Sequence, residues 1–162
     1  MAERSTTQRR GLVALVGAVA ATALLSFTPA FEGTELSTYR DMGGVLTYCT
    51  GATENAAWGK TYTPDQCRAQ LDRDLERHAA GIATCIPLAR LTDGQKVAFV
   101  DVAYNIGVSG FCGSSMARRT NAGDMAGACN ALLLWNKVGG KEVRGLTRRR
   151  QAERELCLRG LP

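Results

Sequence analysis

The 162-residue sequence contains a single histidine, His78, and few aromatic residues, 6% of the chain. Its six cysteines never form a CxxC pair, and no histidine cluster accompanies them, so the ligand spacing of a structural zinc site is missing. We expect neither a metal nor a cofactor. His78 falls at helical spacing with Leu71, Leu75 and Ile82, which predicts a packed or surface histidine and not a catalytic one.

The sequence also lacks internal repeats, low-complexity linkers and the aromatic and glycine arrangement of common nucleic-acid-binding modules. We therefore expect no nucleic-acid partner, despite a net charge of +5. The positive charge is concentrated in residues 137–159, where it suits an anionic cell-wall or lipid surface, or simply a solvated helix face. The length suits one compact domain, and we expect a monomer.

Residues 11–31 carry no charge and follow the basic pair Arg9 and Arg10. As a helix rising ~1.5 Å per residue, this segment would reach about 30 Å, enough to cross a bilayer. The arginines would stay cytoplasmic and everything after Phe31 would be exported. About half of the segment is Gly, Ala, Ser or Thr, so it is weakly hydrophobic and able to leave the membrane. We therefore divide the chain into a basic N-terminus with an anchor helix, residues 1–31, and a domain of residues 32–162.

Cleavage of this segment is the alternative, because "AVA" at residues 18–20 and "ATA" at residues 21–23 resemble signal-peptidase sites. Either route exports the domain, and an exported chain with an even number of cysteines is expected to form disulfides. The sequence alone cannot select among the many pairings. The least entangled set joins Cys49 with Cys67, Cys85 with Cys112 and Cys129 with Cys157.

The exported region reads as a small hairpin followed by helices. β-Branched and aromatic residues flank the glycine turn at residues 42–44. Capping boxes open two helices, at Thr63 and at Thr92, and the second is apolar on nearly every side. A last amphipathic helix covers "RRRQAERELCLRG" and stops at Gly160. The predicted fold class is α+β, with a hairpin lobe, a helical lobe and a cleft between them.

Glu32, Asp41 and Thr47 are the candidate catalytic residues, spaced E-x8-D-x5-T. If Glu32 begins a short helix and the other two lie on the hairpin, all three can converge on the cleft. Two carboxylates facing a cleft are the chemistry of glycoside hydrolysis, in which one protonates the leaving oxygen and the other activates water. Apolar Phe31 favours Glu32 as the acid. Glu35 is a rival, and a surface salt bridge is the alternative for either glutamate.

The stretch "FEGTELSTYRDMGGVLTYCTGAT" resembles the catalytic region of the phage lysozymes of glycoside hydrolase family 24. Further segments resemble that family in the same order: "GKTYTPDQCRAQLDRDL", "VAFVDVAYNIGVSGFCGSS", "NAGDMAGACNALLLW" and "GGKEVRGLTRRRQAERELC". The resemblance implies a lysozyme-like fold and peptidoglycan as the substrate. Cleavage would fall between N-acetylmuramic acid and N-acetylglucosamine by an inverting route, with carboxyl groups roughly 6.5 to 9.5 Å apart.

The same resemblance implies a role for each candidate residue. Glu32 would be the general acid, Asp41 the carboxylate that directs the water, and Thr47 its hydroxyl partner. Two positions depart from many family members, which carry a histidine where Ala52 stands and a glycine where Cys49 stands. Cys49 would tie a disulfide to the active site.

Arg149 resembles the arginine that pairs with the catalytic glutamate, although its neighbours Arg148 and Arg150 leave the register open. Tyr104 and Asn105, in "YNIG", match a cleft-lining motif of the family. Core packing is the alternative for Tyr104.

An anchor that abuts Glu32 resembles the signal-arrest-release endolysins of phages that infect Gram-negative hosts. Their anchors leave the membrane uncleaved when it is depolarised at lysis. The resemblance implies a host-lysing enzyme kept inactive in the inner membrane and then released to the periplasm. Because residues 1–48 contain no cysteine, we expect activation by repositioning of the anchor and not by disulfide exchange. The alternatives are a conventionally secreted lysozyme, a non-catalytic wall-binding module and a cationic membrane-disrupting protein.

Overall fold

The computed structural model describes residues 11–162, and the predicted basic N-terminus, residues 1–10, lies outside them. The helices are α1 Leu12–Val16, α2 Ala18–Glu32, α3 Pro64–Ile82, α4 Asp93–Ile106, α5 Val108–Cys112, α6 Ser115–Asn121, α7 Met125–Ala131 and α8 Arg144–Arg159. The strands are β1 Glu35–Arg40, β2 Leu46–Cys49, β3 Lys137–Val138 and β4 Lys141–Glu142. Helices α1 to α8 form one lobe, and the β1–β2 hairpin forms the other.

The uncharged N-terminal segment is two helices and not the single helix that its composition predicts. Gly17 separates α1 from α2 with a φ of 87°, a backbone conformation that residues with a Cβ rarely adopt. Within residues 11–162, no helix has both the length and the apolar character needed to cross a bilayer.

The N-terminal helices are part of the hydrophobic core. Leu12, Val16 and Leu24 are each at most 1% exposed, and they join the same cluster as the buried faces of α3 and α4. Small side chains at Ala20 and Ala21 are also buried there. The segment predicted to enter lipid therefore contributes one buried face to the core of the helical lobe in this structure.

Helix α4 runs through the middle of the lobe, and its residues 97–103 are all buried. Its close neighbour is α8, and Gly94 permits the contact because a Cβ there would lie 2.2 Å from the carbonyl oxygen of Leu156. The predicted capping boxes at Thr63 and Thr92 open α3 and α4. Helix α8 ends at Gly160 as predicted, but it begins at Arg144, one turn before the predicted run.

The predicted hairpin is present, with β1 and β2 antiparallel and Tyr39 opposite Thr47. Its turn contains Asp41, whose Oδ1 accepts hydrogen bonds from the backbone N–H groups of Gly43 (2.9 Å) and Val45 (2.8 Å). The carboxylate thus closes its own turn, a local pattern that aspartate favours.

Three disulfides join the cysteines in the sequential order favoured above: Cys49 with Cys67, Cys85 with Cys112, and Cys129 with Cys157. The first ties the hairpin to α3, and the last ties α7 to α8. The covalent links therefore fasten the small lobe to the helical lobe and the C-terminal helix to its neighbour.

Candidate active site

Glu32 is the last residue of α2, not the first residue of a helix as the sequence analysis assumed. Helix α2 continues through Pro29 and stops only at Gly33, so the glutamate projects from the C-terminal turn. A negative side chain is unfavourable at that end of a helix, where unpaired carbonyl groups concentrate negative potential. A cationic partner is therefore required, and α8 supplies one.

Arg149 is that partner. Its Nη1 donates to Glu32 Oε1, and its guanidinium carbon lies 5.7 Å from the centre of the Phe31 ring. The Glu32 side chain remains 26% exposed, whereas that of Arg149 is 4% exposed. Of the three successive arginines, position 149 is the one in contact with this glutamate.

A buried aspartate holds Arg149 from behind. Asp101 accepts from Arg149 Nε at 2.8 Å through Oδ2 and from Nη2 at 3.0 Å through Oδ1. Thr28 completes the arrangement, because its hydroxyl donates to Asp101 Oδ1 at 2.6 Å. Burial alone would raise the pKa of Asp101, but these hydrogen bonds and the charge of Arg149 hold it below its ordinary value. Asp101 is therefore ionised, and its two hydrogen bonds with Arg149 fix the orientation of the guanidinium group.

Two further charged residues lie under this network. Arg150 and Glu153 are fully buried, with Arg150 Nη2 2.9 Å from Glu153 Oε1. Burial, and then the neighbouring Asp101, raise the pKa of Glu153 well above its ordinary value. Among the described residues, neither Glu153 oxygen has a well-aligned hydrogen-bond donor. Arg149 and Arg150 are therefore interior residues and do not belong to the basic surface patch suggested by the sequence.

A cleft of about 440 Å³ opens beside Glu32. One wall is the loop at residues 51–54, and the opposite walls come from α3 and α4, including Asp74, Tyr104 and Asn105. A second cavity, of about 370 Å³, is lined by Glu32 and by residues of α8 that include Arg149. Glu32 therefore lines both cavities.

Tyr104 and Asn105 both border this cleft, as the family motif implies. The Tyr104 hydroxyl donates to the carbonyl oxygen of Thr50, which links α4 to the hairpin lobe. Burial, and then the charge of Asp74, raise the pKa of Tyr104. His78 packs against Tyr104 with ring centres 5.2 Å apart, so of the two positions predicted for it, packed or surface, the structure shows the packed one. Asn105 Oδ1 accepts from Arg150 at 3.1 Å, so the asparagine ties the cleft to the buried network.

Asp41 and Thr47 lie on the hairpin, and neither side chain lines this cleft. The Thr47 side chain is buried and its hydroxyl donates to the carbonyl oxygen of Val45 at 3.0 Å. Burial, and then the charges of Glu35, Asp41 and Glu32, raise the pKa of Tyr39. The rival Glu35 is exposed at the start of β1.

Three residues of the network escaped the sequence analysis: Thr28, Asp101 and Glu153. A signal for Asp101 was available, because it is the one carboxylate in the otherwise apolar stretch of residues 97–103. A charged side chain in a fully buried helix has to be paired. Thr28 gave no comparable signal, since a threonine is unremarkable in a segment rich in small residues.

Comparison with known proteins identifies the family and the fold. The phage lysozyme family profile matches residues 29–153. The SAR-endolysin of Enterobacteria phage PA-2 is 38% identical over 94% of this chain and 96% of its own. The endolysin of Escherichia coli O157:H7 phage FAHEc1 superposes with a TM-score of 0.76 at 29% identity, covering 90% of this chain and 94% of its own. The muramidase domain of SpmX from Asticaccaulis excentricus superposes with a TM-score of 0.78 at 28% identity, covering 86% and 96%. With a lysozyme-like fold and matches that span most of its length, the chain belongs to the phage lysozyme family.

Proposed function

We propose that the protein is an endolysin that hydrolyses the β-1,4 bonds between N-acetylmuramic acid and N-acetylglucosamine in peptidoglycan. The observation that carries the proposal is the Glu32 carboxyl group, which Arg149 holds and which lines two cavities. The names of its relatives, endolysin and muramidase, support the same reaction. The reaction would free phage by lysing the host cell.

In this mechanism Glu32 is the general acid that protonates the leaving glycosidic oxygen. Asp41 directs the attacking water. Both of its backbone hydrogen bonds fall on Oδ1, so we assign Oδ2 to the water. Thr47 is its hydroxyl partner, and attack from the opposite face of the sugar inverts the anomeric configuration. Arg149 orients the acid, while Tyr104 and Asn105 shape the cleft.

We also propose that residues 11–31 first hold the enzyme at the host inner membrane and then release it to the periplasm. In the structure, this segment occupies the core through Leu12, Val16 and Leu24 and carries Glu32 at its end. While the segment is in lipid, Glu32 cannot take this place, so the tethered enzyme is inactive. The SAR-endolysin names of relatives support this sequence of events.

The conventionally secreted alternative is disfavoured by the packing. Cleavage after Ala23 would remove Leu12 and Val16 from the core, although both are buried with 1% exposure or less. The wall-binding alternative leaves unexplained why an exposed glutamate is anchored by a buried arginine–aspartate pair at a cleft.

The experiment compares the purified full chain with its Glu32→Gln and Glu35→Gln variants on Gram-negative cells stripped of their outer membrane. The full chain is required because Leu12, Val16 and Leu24 belong to the core. We expect clearing and muropeptides with reducing-end N-acetylmuramic acid from the parent and from Glu35→Gln, and no product from Glu32→Gln. Equal clearing by the parent and Glu32→Gln would reject the assignment of the acid. Clearing by denatured protein would indicate membrane disruption instead.

A further inference from the structure

Two side chains of α2 contact the same buried ion pair, Asp101 with Arg149. Thr28 and Glu32 are four residues apart, so they lie one above the other on one face of the helix. Thr28 contacts Asp101, and Glu32 contacts Arg149, which Asp101 itself holds. One face of α2 therefore meets the α4–α8 interface at two points, and one of these points is the proposed catalytic acid.

The contact between Thr28 and Asp101 helps to hold the last turn of α2 in place. Pro29 lies inside the helix, where its missing N–H removes the backbone hydrogen bond that would join the last turn to the carbonyl oxygen of Leu25. The Thr28 side chain is 0% exposed and bonds to a carboxylate that is also 0% exposed. A hydrogen bond to a buried charged group is among the stronger kind, and water cannot replace it.

We propose that Thr28 is a positioning residue for catalysis: its hydroxyl, bonded to Asp101, fixes the register in which α2 presents Glu32 to Arg149 and the cleft. The inference rests on the proposed role of Glu32. The inference also gives the N-terminal segment a function beyond tethering. When α2 packs into the core, it brings the Thr28 hydroxyl to Asp101, which holds Arg149, which in turn contacts Glu32.

The chain offers a matched control for testing this proposal. Thr22 lies on the same helix as Thr28 but is exposed. Changing either threonine to valine removes one hydroxyl and makes the segment more apolar by the same amount. Any effect on membrane release is therefore shared by the two variants, whereas an effect on Asp101 belongs to Thr28→Val alone.

The experiment measures kcat and KM on soluble peptidoglycan fragments for the purified, released full chain and for Thr28→Val, Thr28→Ser and Thr22→Val. We expect Thr28→Val to lower kcat about tenfold with KM nearly unchanged, as loss of a hydrogen bond to a charged group implies. Thr28→Ser should recover most of the rate, and Thr22→Val should match the parent. Melting temperatures identify the range in which every variant is folded, and rates are compared there.

Each other outcome overturns the inference. Parent-like kcat in Thr28→Val would show that the hydroxyl does not position Glu32. Equal losses in Thr28→Val and Thr22→Val would assign the effect to helix polarity, and failure of Thr28→Val to fold would make the hydroxyl a folding requirement only. The Glu32→Gln variant is assayed alongside. If it keeps the parent rate, the proposed function itself fails, whereas an inactive Glu32→Gln with a parent-like Thr28→Val rejects only the role of Thr28.

Discussion

At the scale of single residues, Asp101 and Glu153 are neighbouring carboxyl groups, both fully buried, whose pKa values move in opposite directions. Asp101 receives hydrogen bonds from Thr28 and Arg149, which outweigh the cost of burying its charge. Glu153 has no well-aligned hydrogen-bond donor among the described residues, and the nearby charges of Arg150 and Arg149 do not outweigh its burial and the neighbouring Asp101. One site can thus hold an ionised carboxylate and a neutral acid at the same pH.

The raised pKa of Glu153 predicts a specific dependence of stability on pH. The folded protein binds this proton more tightly than the unfolded chain, so stability from Glu153 is fully present below the unfolded pKa of about 4.3 and falls as pH rises through the higher folded pKa. The substitution Glu153→Gln removes the carboxyl group that binds this proton, and with it this contribution to the pH dependence of stability. We therefore expect the variant to become more stable relative to the parent between pH 5 and pH 8, measured by thermal unfolding.

Glu155→Gln is the matched control, because Glu155 lies on the same helix with its side chain 51% exposed and pairs with Arg159 at the surface. Its difference in melting temperature from the parent should stay nearly constant over the same pH range. Parallel curves for the parent and Glu153→Gln would mean that Glu153 is ionised in the folded protein throughout.

At the scale of elements, the hairpin that carries Asp41 and Thr47 is covalently tied to α3 by the Cys49–Cys67 disulfide. The loop closed by this disulfide spans 18 residues, for which restriction of the unfolded chain contributes about 3 kcal/mol. Replacing both cysteines by alanine should lower the melting temperature and reduce activity, because the hairpin loses its tie to the helical lobe. Calorimetry and muropeptide release measure the two effects.

The Cys129–Cys157 pair provides the comparison. It joins α7 to α8 and closes a loop of 28 residues, so its removal should cost a similar amount of stability. Because it is not attached to the hairpin, activity measured below the melting temperature should fall less. Equal loss of activity from both double variants would contradict a specific role for the hairpin tie.

The elements that the sequence predicted are those with local signals. The capping boxes that begin at Thr63 and Thr92 are motifs of four consecutive residues, and each marks the start of a helix. The glycine turn in the same way marks the hairpin. The position of Glu32 at the end of α2 could not be predicted, because helix continuation through Pro29 depends on packing against the core. Burial of Arg149 and Arg150 was missed for the same reason: their partners lie on other helices or inside α8, and a run of arginines usually indicates a solvated face.

At the scale of the whole molecule, α1 and α2 are structural components of the domain. Leu12 and Val16 are buried, and each contributes about 1.5 to 3 kcal/mol on burial, against a total stability of 5–15 kcal/mol typical of a domain. A chain that begins at Leu24 should therefore melt about 10 °C or more below the full chain. Circular dichroism on both proteins, with deletion of residues 1–10 alone as the control, measures the difference. Equal melting temperatures would restore the cleaved, secreted alternative.

The N-terminal helices have one buried and one exposed face, and the two faces affect different properties of the protein: its packing and its retention by lipid. Ala20, Ala21 and Leu24 face the protein interior, while Val13 and Val19 are 56% and 59% exposed. Substitutions on the inward face change the packing and stability of the folded enzyme, because these side chains fill space in its core. In the proposed tethered state, substitutions on the outward face change only how strongly lipid retains the segment. Under the proposed tethering, natural variation confined to the outward face would therefore adjust the moment of lysis and leave the catalytic rate unchanged, so that the timing of lysis and the rate of catalysis evolve independently within one segment.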